Sequence, residues 1–238
     1  MTTPRAPRIK ICGITGLDDA KRAVEAGAWA LGLILFPGSP RRCALPDAER
    51  IAATLRRQAE ICGVFVNAPL DEVTGTADAL GLTMVQLHGD EGPAYCGEVA
   101  RRTGAKIVKA ARVRGRADIN ALEAFHTDYH LLDAHQPGKF GGTGSTFDWA
   151  LVHRRRTTTP FILSGGLNPE NVAEAIAAVR PFAVDTASGT EAGPGVKDPA
   201  KMAAFVEAVR STAMHLGRPE AGQPLQDPVP PTLDAPRR

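Results

Sequence analysis

Cys12, in the run KICGIT from Lys10 to Thr15, stands where a short apolar strand stops and the chain turns through Gly13. A thiol at the carboxyl end of a strand is a candidate base or nucleophile, although a buried cysteine also serves as a small hydrophobe. A carboxylate closes a later strand in the same way, at Asp133 of HLLDA. One proton acceptor and one proton donor facing a substrate from opposite sides would form an acid and base pair. For that role the thiol must release its proton more easily than free cysteine, and the carboxyl must hold its own more tightly than exposed aspartate. The plain alternative for Asp133 is a strand-end hydrogen bond to a loop amide.

Two late glycine-rich loops, LSGGL (Leu163 to Leu167) and DTASG (Asp185 to Gly189), follow apolar runs. Glycine lets backbone N–H groups approach an anion closely, so Gly165, Gly166, Ser188 and Gly189 form a candidate phosphate cradle. Ligand-free tight turns are the competing reading. No Walker pattern is present, which argues against nucleotide hydrolysis. Arg41, in FPGSPRR, suits a substrate carboxylate because guanidinium engages it bidentately, and the adjacent Arg42 could exchange roles with it. Gln86 and His88 are two apart in VQLHG and so share one side of an extended strand. Either could hydrogen-bond a substrate, and a structural histidine is equally consistent. The segment from Ala134 to Trp149 directly follows the candidate acid and carries four glycines, Gly138, Gly141, Gly142 and Gly144. Its length fits either a lid or a plain loop.

The elements that must position these groups alternate in kind. Eight short runs rich in branched residues read as strands: Ile9 to Ile14, Ala30 to Leu35, Ile61 to Val66, Met84 to Leu87, Lys106 to Ala110, His130 to Asp133, Phe161 to Leu163 and Ala183 to Asp185. Between them lie helical stripes such as Ala48, Ile51, Ala52 and Leu55, or Met202, Phe205, Val206 and Val209. Gly27 can end the first helix, Asn168 can cap a later one with Pro169 in its first position, and Pro199 opens the last. Repeated strand-helix units imply a parallel α/β sheet, and eight of them imply a single-domain (β/α)8 TIM barrel over residues 8–214. An open doubly wound sheet is the alternative, but no G-x-G-x-x-G follows the first strand. In a barrel, Cys12, Asp133 and the glycine loops would all meet at the carboxyl ends of the strands.

Composition excludes several classes. The net charge of the 238 residues is +2, which provides no electrostatic footprint for nucleic acid. The longest apolar run, Ala28 to Phe36, is far below the roughly 20 residues of a membrane-spanning helix. The opening MTTPRAPR lacks the apolar stretch of a secretory signal, so a cytoplasmic location is expected. Cys12, Cys43, Cys62 and Cys96 are widely spaced, with no C-x-x-C pair and no histidine at metal-binding spacing, which reads as free thiols and no metal. Residues 1–7 form a short extension, and the proline-rich end, residues 215–238, reads as a disordered tail.

KICGIT, SPRR, GVFVN (Gly63 to Asn67), VQLHG, LLD, GGTGSTFDW, LSGGLNPENV and GVKD (Gly195 to Asp198) occur in order and together resemble phosphoribosylanthranilate isomerase, collinearly from about Arg8 to Met214. The resemblance implies an Amadori rearrangement of N-(5'-phosphoribosyl)anthranilate in tryptophan biosynthesis, with no metal or organic cofactor. It implies Cys12 as general base, Asp133 as general acid and Arg41 at the anthranilate carboxylate. The glycine loops match the family's phosphate site, and Asp185 could orient a sugar hydroxyl. One local departure is that Thr186, Ala187 and Ser188 stand where the family commonly has two serines before the glycine, so a hydroxyl contact to phosphate is in doubt. Sugar-phosphate isomerases of histidine synthesis are the nearest rivals, but they resemble this chain with a carboxylate in place of Cys12. A catalytically silent, metabolite-binding barrel is the rival of another class, and retention of both Cys12 and Asp133 speaks against it. Monomer and homodimer are both compatible with the sequence.

Overall fold

Alternation along each strand decides which side chains fill the centre of this protein. On β1 (Arg8–Cys12), Ile9 and Ile11 point outward into the core shared with the helices, while Lys10 and Cys12 point into the barrel. The computed structural model describes residues 6–133, 152 and 157–216. The strands that follow are β2 (Ala30–Ile34), β3 (Glu60–Phe65), β4 (Met84–Leu87), β5 (Lys106–Arg112), β6 (Tyr129–Asp133), β7 (Phe161–Ser164) and β8 (Ala183–Thr186). Parallel pairing runs from β1 to β8 in chain order and closes when β8 pairs back onto β1, with Lys10 opposite Asp185. That closure decides for the (β/α)8 barrel over the open sheet.

The described helices are α1 (Leu17–Ala26), α2 (Leu45–Leu55), α3 (Leu70–Leu80), α4 (Pro93–Thr103), α5 (Arg116–Ala121), α6 (Val172–Val179) and α7 (Pro199–Leu216). The predicted stripes of α2 and α7 are buried along their whole length, from Ala48 to Leu55 and from Met202 to Val209. They seal the outer core, in which Ile11, Leu31, Leu33, Val85 and Leu163 meet the helices. A second, smaller apolar cluster lies inside the barrel, where Ala30, Cys62, Met84, Val108, Leu131 and Ile162 form its floor. Burying both sets is what drives closure, at roughly 25 cal/mol per Å² of apolar surface.

Helix boundaries follow the expected punctuation at Gly27, which caps α1 in the left-handed region at φ 109°, and at Pro199, which opens α7. Asn168 is a correction. Its Oδ1 accepts from the backbone N–H groups of Glu170 and Asn171, closing a turn, and α6 starts only at Val172 with Asn171 in the capping position. An asparagine side chain binds its own backbone two residues on as readily as it caps a helix. A further element went unanticipated: after β8 the chain forms a small antiparallel hairpin of β9 (Glu191–Gly193) and β10 (Val196–Lys197). Strands this short carry no readable period.

The expected lid or loop at 134–149 lies outside the described residues, as do most of the amino-terminal extension and residues 217–238 of the expected tail. Among the described residues, no helix is long and apolar enough to cross a membrane.

Candidate active site

The last inward-facing residue of every strand but β5 borders a cavity of about 350 Å³ at the carboxyl end of the barrel. Cys12 and Asp133 both line it, from β1 and β6. Directly after Cys12 the chain turns through Gly13 at φ 74°, a left-handed conformation that any side chain would strain, and its N–H binds the Gly32 carbonyl at 2.9 Å. Gly32 also makes room for the thiol, since a Cβ there would lie 2.6 Å from Cys12 Sγ.

Burial pushes the Cys12 thiol up from its ordinary value, and the Asp185 carboxylate acts in the same direction, while Lys10 and Lys197 pull it down. The expectation of an easily ionised thiol is therefore reversed: the strand end sits inside the barrel, where a thiolate loses its water.

Gln86 and His88 project from β4 into the same cavity and touch one another, Gln86 Nε2 lying 2.7 Å from His88 Nδ1. On the other side of the ring, His88 Nε2 is 3.7 Å from Asp133 Oδ2. The histidine thus connects the amide to the carboxyl, and Gln86 Oε1 is a buried acceptor with no hydrogen-bond donor among the described residues.

Asp185 lines the cavity but is already engaged, accepting from Lys10 Nζ at 2.8 Å and from the Ser164 hydroxyl at 3.0 Å. Of the two adjacent arginines, Arg41 reaches the cavity and Arg42 borders a shallow hollow beside Leu45 instead. Arg41 is held from behind: its Nε lies 2.9 Å from both carboxylate oxygens of Glu191, and Nη2 lies 2.8 Å from Oε2. Lys197 completes the group, donating to Glu191 at 3.2 Å and to the Ala187 carbonyl at 2.8 Å.

Gly165, Gly166 and Ser188 rim the cavity opposite Arg41's loop, with Gly165 and Gly166 at φ 102° and 69°. Two successive left-handed glycines turn their N–H groups into a concave nest suited to an anion. Gly189 does not reach the rim. It packs against the other loop so closely that a Cβ would fall 2.0 Å from the Leu167 carbonyl oxygen, and Thr186 donates its hydroxyl to that same oxygen at 2.7 Å. Among the described residues, no group of three or more histidine, cysteine or carboxylate side chains is placed to hold a metal ion.

Sequence reasoning missed Glu191, Lys197, Ser164 and Lys10 as members of this site. Lys10 had a readable signal, being a lysine two residues before Cys12 in an otherwise apolar strand. Glu191 had none, because its partner Arg41 lies 150 residues away, and Lys197 stood only within the GVKD motif, with no role assigned to it.

A family model described as N-(5'phosphoribosyl)anthranilate (PRA) isomerase matches residues 9–208. The N-(5'-phosphoribosyl)anthranilate isomerase of Citrifermentans bemidjiense is 47% identical over 207 residues, covering 87% of this chain and 98% of that protein. Monomers of the dimeric phosphoribosylanthranilate isomerase from Thermotoga maritima superpose with a TM-score of 0.76 at 39% identity, covering 86% of this chain and 99% of theirs. A phosphoribosylanthranilate isomerase in complex with reduced 1-(o-carboxyphenylamino)-1-deoxyribulose 5-phosphate superposes at 0.74 with 40% identity and the same coverage. With a matching barrel, a family model over most of the chain and relatives matched over nearly their full length, the chain belongs to the phosphoribosylanthranilate isomerase family.

Proposed function

We propose that this chain converts N-(5'-phosphoribosyl)anthranilate to 1-(2-carboxyphenylamino)-1-deoxyribulose 5-phosphate, with Asp133 as general acid and Cys12 as general base. The observation that carries this reading is the meeting of a thiol and a carboxyl in one cavity whose rim also holds an arginine and a glycine nest. An isomerisation of a substrate with a carboxylate at one end and a phosphate at the other needs these four parts.

Asp133 gives its proton to the ring oxygen of the ribose, and the C–O bond breaks as the nitrogen lone pair forms a Schiff base. The positive nitrogen acidifies the neighbouring C–H, and the Cys12 thiolate takes that proton. The resulting enolamine gains a proton on carbon and loses one from its hydroxyl, giving the ketone. The proton taken by Cys12 then passes through water to Asp133, so both residues return to their starting forms and no proton is consumed overall. Arg41 anchors the anthranilate carboxylate, while the backbone N–H groups of Gly165, Gly166 and Ser188 receive the phosphate and Gly189 lets the two glycine loops close on each other. His88, aided by Gln86, faces Asp133, and Asp185 offers its carboxylate to a sugar hydroxyl. The catalytic unit is the single domain of residues 8–214, acting in the cytoplasm as a monomer or homodimer, without a cofactor.

Loss of phosphoribosylanthranilate fluorescence with the purified chain tests the reading. Cys12→Ala and Asp133→Asn should each lower turnover by at least about 10²-fold with an unchanged circular dichroism spectrum. Near-normal turnover in either variant removes that residue from its role.

A further inference from the structure

Lys10 lies directly beneath the proposed base. It precedes Cys12 by two residues on β1, so both side chains enter the barrel from one strand face, and it is wholly buried. Carrying an ammonium into a barrel interior costs desolvation and side-chain freedom, and an apolar residue would fill the space at less cost. Apart from Asp185 opposite it, the adjoining interior positions are apolar, among them Ala30, Cys62 and Ala183. Packing alone does not account for a cation here.

The charges about the thiol come from several elements. Lys10 shares its strand, Asp185 approaches from β8, Lys197 from β10, and the Cys62 thiol from β3, while Arg41 and Glu191 come close to the adjacent Gly13. Burial disfavours the charge on Lys10, yet the Asp185 carboxylate 2.8 Å away holds it protonated, above the ordinary lysine range. Among the influences on Cys12, the downward pull of Lys10 exceeds the upward push of Asp185, so the ion pair acts on the thiol as a net cation.

We propose that Lys10 is a positioning residue for proton transfer: its buried ammonium is the fixed counter-charge of the Cys12 thiolate and, through the same contact, holds Asp185 toward the cavity. This rests on Cys12 being the base. Lys10 does not line the cavity, and it acts through Cys12 by making the thiolate attainable in a site that otherwise resists it.

The test is the pH dependence of Cys12 alkylation by iodoacetamide in the full chain, read by mass spectrometry of the Cys12 peptide. Cys96, on α4 and outside the influence of Lys10, serves as the reference. In Lys10→Met the midpoint should rise by about one pH unit or more, which is about tenfold slower alkylation near neutral pH. In Lys10→Gln, which keeps a donor for Asp185 and removes the charge, the midpoint should rise likewise. A folded Lys10→Met protein with an unmoved midpoint overturns the proposal. Should Lys10→Met not fold, an unmoved midpoint in Lys10→Gln overturns it equally. Full turnover in Cys12→Ala would defeat the base assignment while leaving the alkylation shifts in place, so the two failures are distinguishable.

Discussion

Replacing Glu191 with glutamine would isolate how the site's arginine is aimed. The carboxylate receives three contacts of 2.8–2.9 Å from the Arg41 fork and one of 3.2 Å from Lys197. Its own side chain is 4% exposed and that of Arg41 is 25% exposed. The amide keeps the shape, removes the anion shared by two cations, and turns N–H groups toward one of them. Breaking a buried pair costs about 3–5 kcal/mol, and partial solvation of Arg41 reduces this to about 2–4 kcal/mol. For a domain of this size each kcal/mol lowers Tm by about 2–4 °C, so Glu191→Gln should melt about 5–15 °C lower. With Arg41 no longer fixed, KM should rise about tenfold while kcat changes less.

The same substitution has a pH signature. Burial pushes the Glu191 carboxyl up, but Arg41 and Lys197 together outweigh it and leave it below the ordinary value of 4.5. A folded-state value below the unfolded one contributes stability that is complete above about pH 4.5 and is lost as pH falls through the folded value. The gap in Tm between wild type and Glu191→Gln should therefore be widest near neutral pH and should shrink below about pH 4. Calorimetry across that range, with steady-state kinetics near neutrality, checks both parts. A gap that persists undiminished in acid, or an unchanged KM, would refute this account of Arg41.

Two glycines give independent tests. Gly32→Ala would place a Cβ 2.6 Å from Cys12 Sγ and 3.0 Å from its Cα, so denaturant unfolding should show a loss of about 1–3 kcal/mol, with kcat falling more than KM rises. Wild-type kcat in that variant would mean that the thiol need not sit where the strand end puts it. Gly189→Ala would drive a Cβ to 2.0 Å from the Leu167 carbonyl oxygen and so force the two glycine loops apart. Kinetics should show KM up about tenfold, near 1.4 kcal/mol of binding, and an unaffected KM would remove these loops from phosphate binding.

Much of this protein was legible because the signals are local. A strand's period of two and a helix's apolar stripe lie within a few residues, so the runs around Cys12, Asp133, Gly165 and Asp185 announced their elements, and eight alternating units fixed the architecture. Motif order from KICGIT to GVKD pointed to the family by the same contiguous evidence. Where a local signal had two meanings, as at Asn168, the reading chose the helix and the chain made a turn.

What the tertiary structure alone decided was the company each side chain keeps. Lys10 meets Asp185 across 175 residues and Arg41 meets Glu191 across 150, contacts made by barrel closure and by a hairpin too short to show a period. The ionisation of Cys12 followed from the same source: composition places a thiol at a strand end, but only closure removes water from it and sets Lys10, Lys197 and Asp185 around it. Sequence specifies which groups exist and which face of an element carries them; their charge states depend on distances and desolvation, which come into being only when distant segments pack together.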